Sequence, residues 1–322
     1  MNATQGTLLN LVIYIALVTI GAVLGSRGRW SKRAAYWLGK LQFAALMILI
    51  VTLGIKLGAD DQVIASLGEI GLAALLITVL SMAGSIITVT LLRRFALKLD
   101  RFGRPADMST EKHADSTQAG KADNALTKWI AAAVALGMAV GYFIIPDNAT
   151  AWCGTVIDCG LYLLLFLVGM DMGRQGDVLR DIRAAGFKVL LIPLAIVVGT
   201  LLFALPAGLL LPLGAKDAMA ASAGFGWYSL APTLLAPYSL SVSAVAFLSN
   251  VMREIFSIVA IPFVARYVGY LECVALPGAA AMDTVLPVVI GATHERITIY
   301  SFVSGVILSL LVPVLVPLII LL

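Results

Sequence analysis

Hydrophobic residues in this chain run in long blocks rather than in the three-and-four rhythm of an amphipathic surface helix. Six blocks, Leu8–Gly25, Leu38–Leu57, Ile70–Leu92, Ala125–Ile145, Val156–Met172 and Phe187–Leu211, have the roughly 17–25 residues that an α-helix needs to cross a bilayer core. Between the third and fourth lies a polar stretch, Arg93–Lys128, which reads as a linker between two halves of a scaffold. After the sixth block the pattern changes. Two hydrophobic segments broken by Gly and Pro, Ala218–Pro237 and Val274–Gly291, are each followed by a long apolar helix, Leu240–Ala265 and Ile297–Leu321. Irregular backbone survives in a bilayer only where protein or a water-filled cavity covers it, so both broken segments are expected to face a cavity.

The polar turns orient these segments. The first Lys or Arg is Arg27, behind the first apolar block, and Arg29, Lys32 and Arg33 follow it. A cleaved signal peptide carries its charge ahead of the block, so this one reads as a retained helix with its N-terminus outside the cytoplasm. Alternation then puts Lys56, Asp60 and Asp61 outside and Arg174, Arg180, Arg183 and Lys188 inside, with the basic start of the 93–128 linker inside as well. If the two broken segments turn back as re-entrant hairpins, the chain has about eight spans and Arg266 is inside. If they cross, it has ten and Arg266 is outside. Arg266 is the one basic residue of its loop and favours hairpins entering from opposite faces. In both arrangements the C-terminus ends outside.

Two internal shifts bring like residues together. Moving Leu46–Thr90 by 115 places Gly54, Gly58, Gly71 and Gly84 on Gly169, Gly173, Gly186 and Gly199. Three helices separate the copies, so they would be inverted in the membrane, as in many secondary transporters. Moving by 55 places Pro232 on Pro287, Phe247 on Phe302, Ser249 on Ser304 and Pro262 on Pro317, so each copy is a broken segment plus a long helix. The expected fold is an all-α polytopic membrane protein of inverted-repeat transporter architecture. Its parts are a first scaffold repeat (1–92), a cytoplasmic linker (93–128), a second, inverted scaffold repeat (129–213) and transport elements with the two broken segments (214–322).

Composition agrees with that class. Of 322 residues 61% are hydrophobic and 12% charged, about half the charge of a soluble domain, and mean hydropathy is +1.00. The net charge of +4 is spread over loops as topology signals and offers no surface for nucleic acid. Cys153, Cys159 and Cys273 sit in or beside apolar segments, and His113 and His294 stand alone in polar loops. Neither set has the spacing of a disulfide framework or metal site, and no cofactor is implied.

Candidate chemistry gathers where polar residues interrupt the apolar background. A charge near the bilayer midplane costs about 2.5–3.5 kcal/mol on insertion scales, so it usually has a function. Asn250 and Glu254 are spaced i, i+4 in one apolar helix, with Ser257 near the same face; Arg253 points about 100° away and needs another partner. Glu254 is either a cation or proton site or half of a structural pair. Asp283, between small residues and Pro287 in the second broken segment, is either a second such site or a cap at the break. Gly224, Gly226, Trp227, Tyr228 and Ser229 mark the first break, where the two rings read as cavity lining or as interface aromatics. Lys56, Asp61 and Asp171 are secondary candidates at helix ends, open to a snorkelling reading.

The string Ser222-Ala223-Gly224-Phe225-Gly226-Trp227-Tyr228-Ser229-Leu230, then Arg253-Glu254, then Met282-Asp283 with Leu286-Pro287-Val288, resembles the lysine exporter family LysO of bacterial inner membranes. The resemblance is strongest from Ala220 onward and lies mainly in hydropathy and loop placement before it. It implies export of L-lysine and its analogue thialysine from the cytoplasm, with intramembrane acids, here Glu254 and Asp283, carrying the role. The chain departs from its relatives in having Ser249-Asn250 where they carry an acid just before the Arg-Glu pair. The expectation is a secondary exporter working by proton antiport, because cation and proton compete for one carboxylate in a low-dielectric cavity. There is no Walker-type phosphate loop. The alternative is a sodium/proton antiporter or sodium-coupled organic-acid carrier. An intramembrane hydrolase would need a facing pair of aspartates or a base beside Ser229, and neither is in the sequence. The expected partners are a cationic amino acid, protons and the lipid bilayer, with a homodimer left open.

Overall fold

The computed structural model describes residues 3–28, 31–103, 124–145, 151–175, 187–211, 213–294 and 297–322. His113, Arg180, Arg183 and the 104–123 part of the linker lie outside the described residues. The described chain is helical. Its helices are α1 (Ala3–Arg27), α2 (Lys32–Gly58), the short α3 (Asp61–Ala65), α4 (Leu67–Leu91), α5 (Asn124–Phe143), α6 (Ala151–Gln175) and α7 (Leu191–Leu210). There follow α8 (Ala215–Ser222), α9 (Leu230–Leu235), α10 (Leu240–Tyr267), α11 (Tyr270–Ala275), α12 (Leu286–Ala292) and α13 (Ile297–Leu321). Six of the long ones, α2, α4, α6, α7, α10 and α13, contain stretches long and apolar enough to cross a membrane. α7 shows how an apolar environment is met: Leu194, Val198 and Leu202 are exposed along one face while Ile192, Ile196 and Gly199 are buried on the other.

Small residues set how closely these helices pack, as expected where lipid gives no hydrophobic drive between them. α1 crosses α6 with Gly21 and Gly25 against Gly169 and Gly173; α5 crosses α2 with Gly137 and Gly141 against Gly54 and Gly58. In both crossings an added Cβ would run into backbone of the partner helix. α4 packs along α7 with Gly84 and Gly199 each against the other's backbone, and the Thr88 hydroxyl donates to the Ala195 carbonyl at 2.7 Å.

Both broken segments turn back. In the first, the Tyr238 hydroxyl donates to Asp217 Oδ1 at 2.9 Å and the Lys216 ammonium lies 5.6 Å from the Tyr238 ring centre, so its two ends meet. Partial burial raises the Tyr238 hydroxyl above the usual tyrosine range, and the bond to Asp217 raises it further, which keeps the donor protonated. In the second, the Tyr270 ring packs 5.2 Å from His294, and both meet Phe102: the Tyr270 ring at 5.3 Å, the His294 Nε2 on its carbonyl at 3.0 Å. A crossing segment would leave its ends about 30 Å apart. α10, at 28 residues about 42 Å long, separates the two mouths, so the hairpins enter from opposite ends.

The helical chain does not stop where the polar stretch starts. α4 continues through a π-helical turn to Leu97, and Arg93 is buried there with its Nε 2.7 Å from Glu272 Oε1. Arg93 Nη1 also donates to the Leu99 carbonyl at 3.3 Å, and the Tyr270 N–H to the Arg101 carbonyl at 2.8 Å. A charge next to a helix end reads as solvated in sequence; its partner is 179 residues away.

Candidate functional site

The two breaks touch. In the first, Phe225 takes φ +48° and Gly226 φ +92°, a left-handed pair that reverses the chain after α8. In the second, Gly278 takes φ +63°. The Ala279 N–H donates to the Phe225 carbonyl at 2.8 Å. A Cβ on Gly226 would meet the Pro277 carbonyl, and one on Gly278 the Phe225 carbonyl, so glycine is required twice over at each.

Breaking a helix orphans backbone groups, and α10 supplies partners for both breaks. Asn250 Oδ1 accepts from the Gly226 N–H at 2.6 Å, while its Nδ2 donates to the carbonyls of Ala221 (3.1 Å) and Ala246 (2.7 Å). Arg253, on another face, donates through Nε to the Leu276 carbonyl (2.9 Å), through Nη2 to Ala275 (3.1 Å) and through Nη1 to Thr200 Oγ1 (3.2 Å). The guanidinium thus sits at the carbonyl end of α11. Gly224 leaves room for the Asn250 amide, and the Ser249 carbonyl accepts from Thr78 Oγ1 at 3.0 Å.

Around this crossing lies a cavity of about 360 Å³, within the usual range for small-molecule pockets, roughly 300–1,000 Å³. Glu254, Asp283 and Asp171 line it together with Gly226, Trp227, Tyr228 and Ser229. Its walls join α2 and α6 of the scaffold to both breaks, α10 and α13. Glu254 is 2% exposed, and its Oε2 has no hydrogen-bond partner among the described residues. Asp283 is accessible from the cavity, its Oδ1 accepting from the Thr284 N–H at 2.6 Å and the Thr284 hydroxyl at 3.4 Å. Thr284 also stands beside Glu254. The arrangement offers a desolvated carboxylate and an accessible one to a single small cation.

Not every candidate reaches the cavity. Asn250, Arg253 and Gly224 hold the breaks, while the Ser249 and Ser257 hydroxyls bond their own helix through the Ala246 carbonyl at 3.2 Å and the Arg253 carbonyl at 2.6 Å, so neither the amide nor those hydroxyls line the cavity. Lys56 lies within electrostatic reach of Asp158 on α6, and Asp61 is exposed in the first turn of α3. Asp171, a secondary candidate in the sequence, lines the cavity and pairs with Arg174 at 2.7 Å. Thr284, Ser309 and Gln42 also line it and were missed. The 55-residue shift could have found two of them, since it places Ser229 on Thr284 and Glu254 on Ser309. Asp158, also missed, carried the signal of an acid inside an apolar block. Among the described residues no three His, Cys, Asp or Glu side chains converge as metal ligands, and the three cysteines are free.

A family model described as "Lysine exporter LysO" matches residues 15–101 and 131–320. "Lysine exporter LysO" of Escherichia coli K12 is 34% identical over 157 residues, 48% of this chain and 52% of that protein. A Haemophilus influenzae protein named "Putative lysine exporter" is 27% identical over 157 residues, 48% of this chain and 79% of that protein. The matched stretch thus spans about half the length of the E. coli relative. No solved structure matches the chain.

Proposed function

The chain belongs to the lysine exporter LysO family, and from that premise we propose that it is a secondary exporter of L-lysine, and of close analogues such as thialysine, driven by proton antiport. The observation that carries the reading is the cavity in which Glu254 Oε2, buried and unpartnered among the described residues, shares space with Asp283. Two acids in one low-dielectric cavity do not both ionise while it is empty. An arriving ammonium stabilises the second charge and expels its proton, so cation and proton exchange at one site. Trp227 and Tyr228 wall that site and suit a cation beside an aliphatic chain.

The scaffold reading is an inverted repeat with eight crossings in a bacterial inner membrane, both termini outside and the 93–128 linker in the cytoplasm. The glycine crossings support it, since exchanging the copies turns the α1–α6 crossing into the α5–α2 crossing and Gly84 into Gly199. So does the meeting of Phe102 with Tyr270 and His294, which puts the linker's start and the Arg266 end of α10 on one side. The 1–92, 129–213 and 214–322 units follow from the same division.

The test is efflux of labelled lysine from proteoliposomes under an imposed pH gradient, without sodium. Lysine-dependent proton flux supports the reading. Flux that appears only with sodium favours the sodium-coupled alternative, and absence of lysine movement refutes lysine export.

A further inference from the structure

Resting on the lysine-export reading, we propose that Asp171 and Arg174 of α6 recognise the α-amino and α-carboxylate head of the substrate, so that it lies with its side-chain ammonium inward at Glu254 and Asp283. Three features of the cavity point this way. First, its acids form two poles. Glu254 stands midway along α10 and is 2% exposed, whereas Asp171 is four residues from the end of α6, with Gly39 and Gln42 of the first turns of α2 on the same wall. Gly25, near the end of α1, packs on Met170 and Arg174, so this outer pole lies at the end of the bundle carrying the α1–α2 turn. Arg27, Lys32 and Arg33 there mark the side from which an exporter would load.

Second, the poles differ in charge. Arg174 donates through Nε (3.1 Å) and Nη2 (2.7 Å) to Asp171 Oδ1, with the two side chains 32% and 28% exposed. Asp171 lines the cavity and Arg174 stands directly against Asp171, so the outer pole has a guanidinium beside its carboxylate, the complement of a zwitterionic head. An i, i+3 pair about a third exposed adds little to helix stability, so stability does not account for its place beside the cavity that Asp171 lines. The inner pole has carboxylates, with Glu254 Oε2 unpartnered among the described residues, which complements a lone ammonium. Third, the wall between the poles is apolar. Leu164, Val168 and Asp171, at i, i+4 and i+7, share one face of α6 and give about 10 Å of surface for an unbranched methylene chain.

Calorimetric titration of the purified full chain with three ligands tests this: L-lysine, cadaverine (no carboxylate) and 6-aminohexanoate (no α-amine). Arg174→Gln should weaken lysine and 6-aminohexanoate about tenfold or more and leave cadaverine unchanged. Asp171→Asn should weaken lysine and cadaverine by a similar factor and leave 6-aminohexanoate unchanged, and Asp171→Glu should restore the wild-type order. The comparison is between ligands within one variant, so a general loss of folded protein does not imitate it. Ligand ratios equal to wild type in both variants overturn the inference while leaving lysine export standing. A wild-type chain that binds no lysine overturns both.

Discussion

Arg253→Met removes the charge that holds the second break while roughly keeping side-chain length. Three bonds go, to Leu276, Ala275 and Thr200. Those bonds offset the several kcal/mol that it costs to bury a 2%-exposed guanidinium, so losing the bonds and the charge together is close to neutral. The Ala275 carbonyl keeps the Ser85 hydroxyl at 3.3 Å, whereas Leu276 loses its charged donor. An orphaned buried carbonyl costs about 1–3 kcal/mol, so the net loss should be about 2 kcal/mol. At roughly 2 °C per kcal/mol for a chain this long, the unfolding midpoint in detergent should fall by about 4 °C. Lysine efflux should fall with it, because the Asp283 segment follows directly on the carbonyls that Arg253 holds. Arg253→Lys should recover only part of the loss, since an ammonium cannot fork between two carbonyls. A variant that melts within 1 °C of wild type and exports normally would show that Arg253 does not hold the break. One that melts normally but has lost lysine binding would make Arg253 a substrate contact instead.

Glu254→Gln should abolish lysine efflux with the unfolding midpoint unchanged or raised, because it removes a buried charge whose Oε2 has no partner among the described residues; normal efflux from that variant would reduce Glu254 to a structural residue. Asp283→Asn should bind lysine with little pH dependence between about pH 6 and 8 and lose pH-driven accumulation, since the remaining carboxylate has no second acid beside it to hold a proton that lysine displaces; wild-type pH dependence would place the proton elsewhere. Single cysteines at Arg266 and at Lys216, in a background lacking the three native ones, should be labelled from opposite sides by an impermeant thiol reagent, Lys216 from outside; labelling of both from one face would refute the opposed hairpins.

The long apolar blocks and the two Gly/Pro interruptions were legible because they are local consequences of a solvent that hydrogen-bonds nothing: each helix must satisfy its own backbone, so length and hydropathy suffice to find it. For the same reason Trp227–Ser229, Glu254 and Asp283 stood out, being polar or irregular where the background is neither. What those residues meet was decided by pairing across distance. Whether a broken segment crosses or turns back depends on Tyr238 finding Asp217 and Tyr270 finding His294, and turn residues of either kind look alike in sequence. Asn250 and Glu254, one helical turn apart, have opposite fates because only the first lies against orphaned backbone, at Ala221 and Gly226. Arg93 reads as the solvated start of a linker until Glu272 closes on it, and Asp171 as a snorkelling end charge until α2 and the breaks build a cavity against it. Burial and partner identity belong to the packed arrangement, and the chemistry of a charge inside a membrane protein follows from both.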